Sequence, residues 1–252
     1  MLFRSRPKYQ SRSNPRQYYL DKHRDAYRDE LAALAVKAND AADGAVIRRL
    51  AEMFDHIYID EVQDMAGYDL ELIELLMKSP MAVTLVGDPR QATFSTNNNR
   101  KNGKYKGSGI VDWLGERTSL CPVEERAVSY RCNQAICDFA DGLYPALKPT
   151  RSENQETTGH DGVFDINPAA VGEYVETYAP VVLRYNKKTD TQGLTAINIG
   201  VSKGSTFDRV LIFPTEPMRK YYKTHDPEDA GAREKLYVAV TRAKYSVTFV
   251  MP

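Results

Sequence analysis

Apolar positions in this chain come in short runs separated by polar turns, and the clearest pair is His56-Ile-Tyr-Ile59 and Ala82-Val-Thr-Leu-Val86. Each reads as a buried strand. Between them, Leu72, Ile73, Leu75 and Leu76 give Tyr68 to Lys78 the spacing of a crossover helix. Strand, helix and strand in that order predict a parallel pair whose polar tips share one edge of a sheet. Upstream, Leu20, Tyr27, Leu31, Leu34, Ala35 and Ala38 fall on one face at helical spacing, and Val46, Ile47, Leu50, Ala51 and Phe54 form a second amphipathic helix.

In the second half, Val181–Tyr185, Thr195–Ile199, Arg209–Phe213 and Ser246–Val250 are strand-like, and Glu234–Thr241 suits a helix. Strands alternating with helices predict a second α/β lobe, with a boundary between Trp113 and Cys121. Residues 150 to 172 read as a surface connection, and Met1 to Gln17 as a basic flexible tail. The Asn-, Gly- and Lys-rich run from Thr96 to Gly109 reads as a loop unable to build a core.

The candidate chemistry sits just beyond the first strand, where Asp60 and Glu61 are adjacent. Carboxylates at the carboxyl edge of a parallel sheet occupy the ligand-binding side of such folds. One can hold Mg²⁺ while its neighbour accepts a proton from water. The second strand delivers Gly87-Asp88-Pro89-Arg90-Gln91 to the same edge, which brings Gln91 toward the two acids.

Asp60-Glu61-Val62-Gln63-Asp64 resembles the Walker B element of superfamily 1 helicases of the UvrD/Rep type, and Gly87 to Gln91 resembles their third motif. Ser129-Tyr130-Arg131, Val201 to Asp208 and Leu236 to Lys244 resemble motifs IV, V and VI, in the family's order across residues 15 to 252. The resemblance implies a RecA-like P-loop NTPase fold of the α/β class, with parallel sheets flanked by helices. It divides the chain into the tail, a partial first lobe over residues 18–117 and a compact second lobe over 118–252. The stretch from Cys132 to Gly200 is too short for the helical insertion that Rep-type relatives carry. The implied ligands are ATP, Mg²⁺ and single-stranded DNA.

Site roles follow from the same resemblance. Asp60 would hold Mg²⁺, Glu61 would polarise water, and Gln91 would sense the γ-phosphate. Tyr130 would stack on adenine, and Arg131 and Arg242 would meet the γ-phosphate from the interlobe cleft, where a planar guanidinium suits phosphate oxygens. Lys203 and Gly204 would serve the nucleotide from motif V. Phe94 matches the first base-stacking aromatic past motif III, while Thr96 and Asn97 replace the second aromatic and its arginine; Arg100, Lys101, Lys104 and Lys106 could bear on phosphates instead. Motif V also departs from the family at Gly200, Val201 and Thr206.

No Gly-x-x-x-x-Gly-Lys-Ser/Thr segment occurs in the 252 residues. That loop's backbone amides cradle phosphates in nucleotide-binding relatives. The chain therefore reads as the carboxyl-terminal portion of a helicase, inactive alone, whose partner would be a separate amino-terminal P-loop half. Two other readings stand beside it: a non-enzymatic nucleic-acid or protein-binding module derived from a helicase, and a metal nuclease built on Asp60, Glu61 and Asp64. Composition fits a globular protein, with 42% hydrophobic and 27% charged residues. A formal net charge of zero means that nucleic-acid binding must come from local patches. Three cysteines in no metal-binding pattern suit a reducing cytoplasm, and no apolar run is long enough for a membrane span.

Overall fold

Asn14 and Pro15 start the first helix by local chemistry: the Asn14 side chain accepts the Gln17 N–H at 3.2 Å, and proline suits the first helical turn. The computed structural model describes residues 13–97 and 100–252. It divides into two units, Met1–Glu124 and Glu125–Pro252. The basic tail expected over residues 1–17 lies outside the described residues as far as residue 12. Beyond that the expectation fails, because α1 (Pro15–Tyr19) is helical and buries Tyr18 and Tyr19.

The single helical face read from Leu20 to Ala38 is also corrected. Leu20 pairs with Ala26 in an isolated antiparallel bridge, and α2 (Leu31–Ala41) begins only after a short 3₁₀ turn. The Asp21 carboxylate explains the break, since it accepts the N–H groups of His23 and Asp25 at 2.8 and 3.0 Å and so competes with helical bonding. The buried face of α2 is Ala33, Val36 and Asn39. Asn39 uses its side-chain oxygen to accept the Ile47 N–H at 3.0 Å, which ties α2 to α3 (Ala45–Met53).

The strand–helix–strand prediction holds: β1 (His56–Ile59), α4 (Tyr68–Met77) and β2 (Ala82–Leu85) follow in order, and β1 pairs with β2 in parallel from His56↔Ala82 to Ile59↔Leu85. Ile57, Ile59 and Val83 pack on Ile47, Leu72 and Leu76. The expectation of buried strands fails, however, since both strands are only partly covered. Tyr58 is 73% exposed and Val86 53%. Among the described residues this sheet has two strands, and helices pack on the Ile57 side, so alternate side chains meet solvent.

The loop after β2 does contribute to a core, contrary to the sequence reading. Tyr105 packs with Val62, Leu70, Ile73 and Ile110, and with Trp113 of α5 (Ile110–Gly115). One aromatic among the lysines suffices, because its ring reaches inward while its hydroxyl stays bonded to Glu116.

The second unit is an α/β layer structure. β5 (Gly162–Ile166), β6 (Val181–Arg184), β7 (Ile197–Asn198), β8 (Phe207–Phe213) and β9 (Ala243–Val250) form one parallel sheet in the order β5-β9-β8-β6-β7. Central β8 is apolar and buried from Val210 to Phe213 because that part is covered on both faces: Val210 and Ile212 pack on one side, Leu211 and Phe213 on the other. The first side holds α6 (Gln134–Asp141), α8 (Glu216–Thr224) and α9 (Arg233–Val240); the second holds α7 (Val171–Tyr178). Residues 150–172 are more than a surface connection. They include β4 (Arg151–Ser152), paired with β3 (Val128–Ser129), and edge strand β5, whose polar Asp165 masks its strand pattern.

On that edge, His160 is stacked between Phe164 and Tyr178, with ring centroids 4.2 and 4.0 Å away. Its Nε2 lies 2.9 Å from the Tyr174 hydroxyl, which lies 2.7 Å from Thr248 Oγ1. Burial first, then the Arg209 guanidinium, push its pKa below the ordinary 6.5, with Asp161 opposing. The folded state thus favours neutral imidazole. Its contribution is fully present above about pH 6.5 and is lost as pH falls below that value toward the depressed folded pKa. Melting temperatures between pH 5 and 7.5 should therefore fall more steeply on the acid side for wild type than for His160→Gln; parallel curves would remove His160 from the acid response.

Candidate functional site

The β1–β2 register carries Asp60 and Glu61 beyond one strand and Val86 to Asp88 beyond the other, at the same sheet edge. Two backbone bonds lock the tips together: Val86 N–H donates to Ile59 O at 2.8 Å, and Val62 N–H donates to Val86 O at 3.0 Å. Between them Glu61 adopts left-handed backbone, φ 54° and ψ 40°. For a residue with a Cβ this costs about 1–3 kcal/mol, and such strain concentrates at functional sites. The Asp60 side chain helps hold it, with Oδ1 accepting the Glu61 N–H at 2.7 Å.

Gln63 joins the two tips, a role the sequence reading did not give it. It is 1% exposed; its amide nitrogen donates to Glu61 Oε2 at 2.5 Å, and its amide oxygen accepts the Asp88 N–H at 3.1 Å. Asp88 then accepts Arg90 Nε at 2.8 Å and Gln91 Nε2 at 3.2 Å. Gln91 is therefore joined to the acids through Asp88 and Gln63. The available signal was position alone, since Gln63 lies two residues past Glu61 on a turn that must face the second strand. Gly87 makes the fit possible: a Cβ there would stand 2.5 Å from Gln63 Oε1 and 2.8 Å from Val62 Cγ1.

Asp60 is exposed, and Oδ2 has no hydrogen-bond partner among the described residues. A single such carboxylate fits Mg²⁺, which takes most of its oxygens from phosphate and water. No cluster of three or more His, Cys, Asp or Glu side chains able to hold a metal occurs among the described residues.

In the second unit, Tyr130 is 83% exposed rather than core. The turn presenting it is built by Ser129, whose hydroxyl accepts the N–H groups of Arg131 and Cys132 at 3.3 and 3.1 Å. Asn154 fastens it further by donating to Arg131 O at 2.7 Å. Arg131 Nη1 donates to Thr241 O at 3.1 Å, and Arg242 Nη2 donates to Thr241 Oγ1 at 3.3 Å. Thr241, at the end of α9, thus brings together two arginines 111 positions apart in sequence. Arg242 is 1% exposed, with Nε on Val238 O at 3.2 Å and Nη1 on Ser205 O at 3.4 Å. Lys203 is half-buried. Gly204 has φ +81° with open space where a Cβ would lie, so its backbone conformation selects glycine.

The loop residues separate into two sets. Phe94 is 56% exposed, and Arg100 is exposed. The lysines have partners: Lys101 pairs with Glu71 at 3.3 Å, Lys104 with Glu116 at 3.3 Å, and Lys106 donates to Asn97 O at 3.3 Å. The three cysteines are free thiols, and no helix among the described residues is long and apolar enough to cross a membrane.

Parallel strands flanked by helices, with paired carboxylates at the strand tips, define an α/β protein with its candidate site on the ligand-binding edge. Residues 5–100 match the UvrD/REP helicase N-terminal domain, and the chain is related to UvrD-type helicases. A protein of Mycoplasma pneumoniae (strain ATCC 29342 / M129 / Subtype 1) described as "Probable DNA helicase II homolog" is 26% identical over 121 residues, which cover 46% of this chain and 16% of that relative. Among solved structures, a PRRSV helicase shares 22% identity with a TM-score of 0.47, covering 77% of this chain and 34% of that one. Arterivirus nonstructural protein 10, a helicase solved in complex with DNA, shares 22% identity with a TM-score of 0.49, covering 78% of this chain and 40% of that one. The chain thus spans a minor part of the length of each.

Proposed function

We propose that this chain is the carboxyl-terminal portion of an ATP-dependent DNA helicase or translocase, holding part of a first RecA-like lobe and most of a second. The observation that carries the reading is the Glu61 turn: a strained carboxylate beside Asp60, held by Gln63 and Asp88 in the stretch that matches the helicase domain. Asp60 would hold Mg²⁺, which supplies charge neutralisation on the phosphates when bound. Glu61 would orient and deprotonate the attacking water, Gln91 would sense the γ-phosphate, and Tyr130 would stack on adenine. Arg131 and Arg242 would stabilise charge on the transferred group, and Lys203 and Gly204 would line the nucleotide's path. Phe94 and Arg100 are the groups best placed to meet single-stranded DNA, with Lys101, Lys104 and Lys106 adding charge from within their ion pairs and hydrogen bonds.

The phosphate cradle would come from a separate amino-terminal P-loop polypeptide. Phosphoryl transfer depends on positioning, so these side chains act only on a nucleotide that something holds. The 252-residue chain alone should show no DNA-stimulated ATP hydrolysis. Adding an amino-terminal helicase fragment that bears Gly-x-x-x-x-Gly-Lys-Ser/Thr should produce it. Robust turnover by the chain alone would sink the division of labour. The absence of that motif within the chain also favours a second reading, a non-enzymatic nucleic-acid-binding module; single-stranded DNA binding with no turnover in any mixture would select it.

A further inference from the structure

The loop carrying Phe94 and Arg100 is fastened by two asparagines. Asn97, 7% exposed, donates from its amide to Ala66 O at 2.7 Å and to Asp69 Oδ2 at 3.1 Å. Asn102 donates to Gly67 O at 2.9 Å and to Glu71 Oε1 at 3.0 Å. Thr96 adds a backbone bond to Asp64 O at 2.9 Å and a hydroxyl bond to Asp69. Asp69 also accepts the Ala66 N–H at 3.1 Å, so one carboxylate gathers donors from both the loop and the turn it binds.

The chemistry of asparagine explains the choice of residue. Each amide offers two N–H donors, and here both are used on acceptors of one segment, Ala66 to Glu71. Asn102 also takes left-handed backbone, φ 55°, which asparagine tolerates better than most residues. An aromatic at either place could stack on a ligand but could not supply these donors.

That fastened segment runs directly into the candidate site. The 3₁₀ turn Val62–Asp64 precedes it, Asp64 N–H donates to Glu61 O at 2.9 Å, and Met65 N–H donates to Val62 O at 3.1 Å. The loop therefore has two sides, one presenting Phe94 and Arg100 outward and one bonded to the support of Glu61.

We propose that Asn97 and Asn102 are positioning residues that strap the loop to the Asp64–Glu71 segment, so that single-stranded nucleic acid seated on the loop stiffens the turn holding Asp60 and Glu61. The proposal rests on the reading that Phe94 and Arg100 contact nucleic acid.

Hydrogen–deuterium exchange on the full 252-residue chain with and without an oligothymidylate tests it. In wild type the oligonucleotide should slow exchange over residues 94–109 and also over residues 62–71. Asn102→Gly, which keeps the left-handed backbone and removes the donors, and Asn97→Ala should each retain protection of the loop but lose its transfer to residues 62–71. In the free variants, amides of that segment should exchange about tenfold faster, as the loss of hydrogen bonds implies, while β9 of the second unit is unchanged. Equal transfer in wild type and both variants would overturn the strap. Protection of the loop without transfer in wild type would overturn it too, while leaving nucleic-acid binding intact. Absence of any protection in wild type would remove both the strap and the nucleic-acid reading. Should Asn97→Ala unfold the first unit, Asn102→Gly alone decides, because its half-exposed side chain leaves the core untouched.

Discussion

Glu61→Gln is expected to lower DNA-stimulated ATP hydrolysis about 10²–10⁴-fold in a mixture of this chain with a P-loop-bearing fragment, the range by which a positioned general base accelerates such steps. The amide keeps the size of the side chain and can still bond to Gln63, so the turn should persist. It cannot take a proton. Steady-state kinetics should show the loss in kcat with KM for ATP little changed, as expected for a group that acts on the attacking water rather than on nucleotide binding. A variant that retained most of its turnover would move the base elsewhere, with Asp64 the next group to test.

Gly87→Ala should destabilise the first unit by about 1–3 kcal/mol, the usual cost of forcing a carbon into a filled space. The new Cβ would lie 2.5 Å from Gln63 Oε1, 2.8 Å from Val62 Cγ1 and 3.2 Å from Val62 N. Trp113, the single tryptophan, is buried in that unit's core and reports its unfolding by fluorescence in urea. Gln63→Ala removes the closest contact. The double variant should accordingly be less destabilised than the sum of the two single changes. Strict additivity would mean that the strand tips part rather than press on Gln63, and the account of how Glu61 is held would fail.

The elements around the site were legible because their sequence periods are clean. Arg209-Val-Leu-Ile-Phe213 is strand-like in its apolar run and lies in β8, and Leu72, Ile73, Leu75 and Leu76 suit the helix that forms as α4. Where the reading failed, a single polar or aromatic side chain had made a bond or contact that periodicity does not carry. Asp21 diverts residues 21–25 from a helix although the apolar spacing continues past it, and no periodicity scan registers a carboxylate that captures two N–H groups. Edge strand β5 hid behind Asp165, whose carboxylate accepts from Tyr222 on α8. The residues of the candidate site were visible as motifs, but their supports were not. Gln63, Thr241 and Asn154 act through partners 25, 110 and 23 positions away, and pairing at such separations is a product of the fold.

The short β1–β2 sheet has a consequence for how the chain fares in solution and in the cell. Among the described residues each strand has one neighbour, so the outer side of each is a sheet edge that no further strand covers, next to outward-facing Tyr58 and Val86. Unprotected edges of this kind recruit other extended chains, and natural sheets usually guard them with charge, proline or a bulge. His56-Ile-Tyr-Ile59 and Ala82-Val-Thr-Leu85 carry no acid, lysine, arginine or proline. Losses to inclusion bodies should therefore begin at this pair of strands, and a lysine in place of Tyr58 should raise the soluble yield.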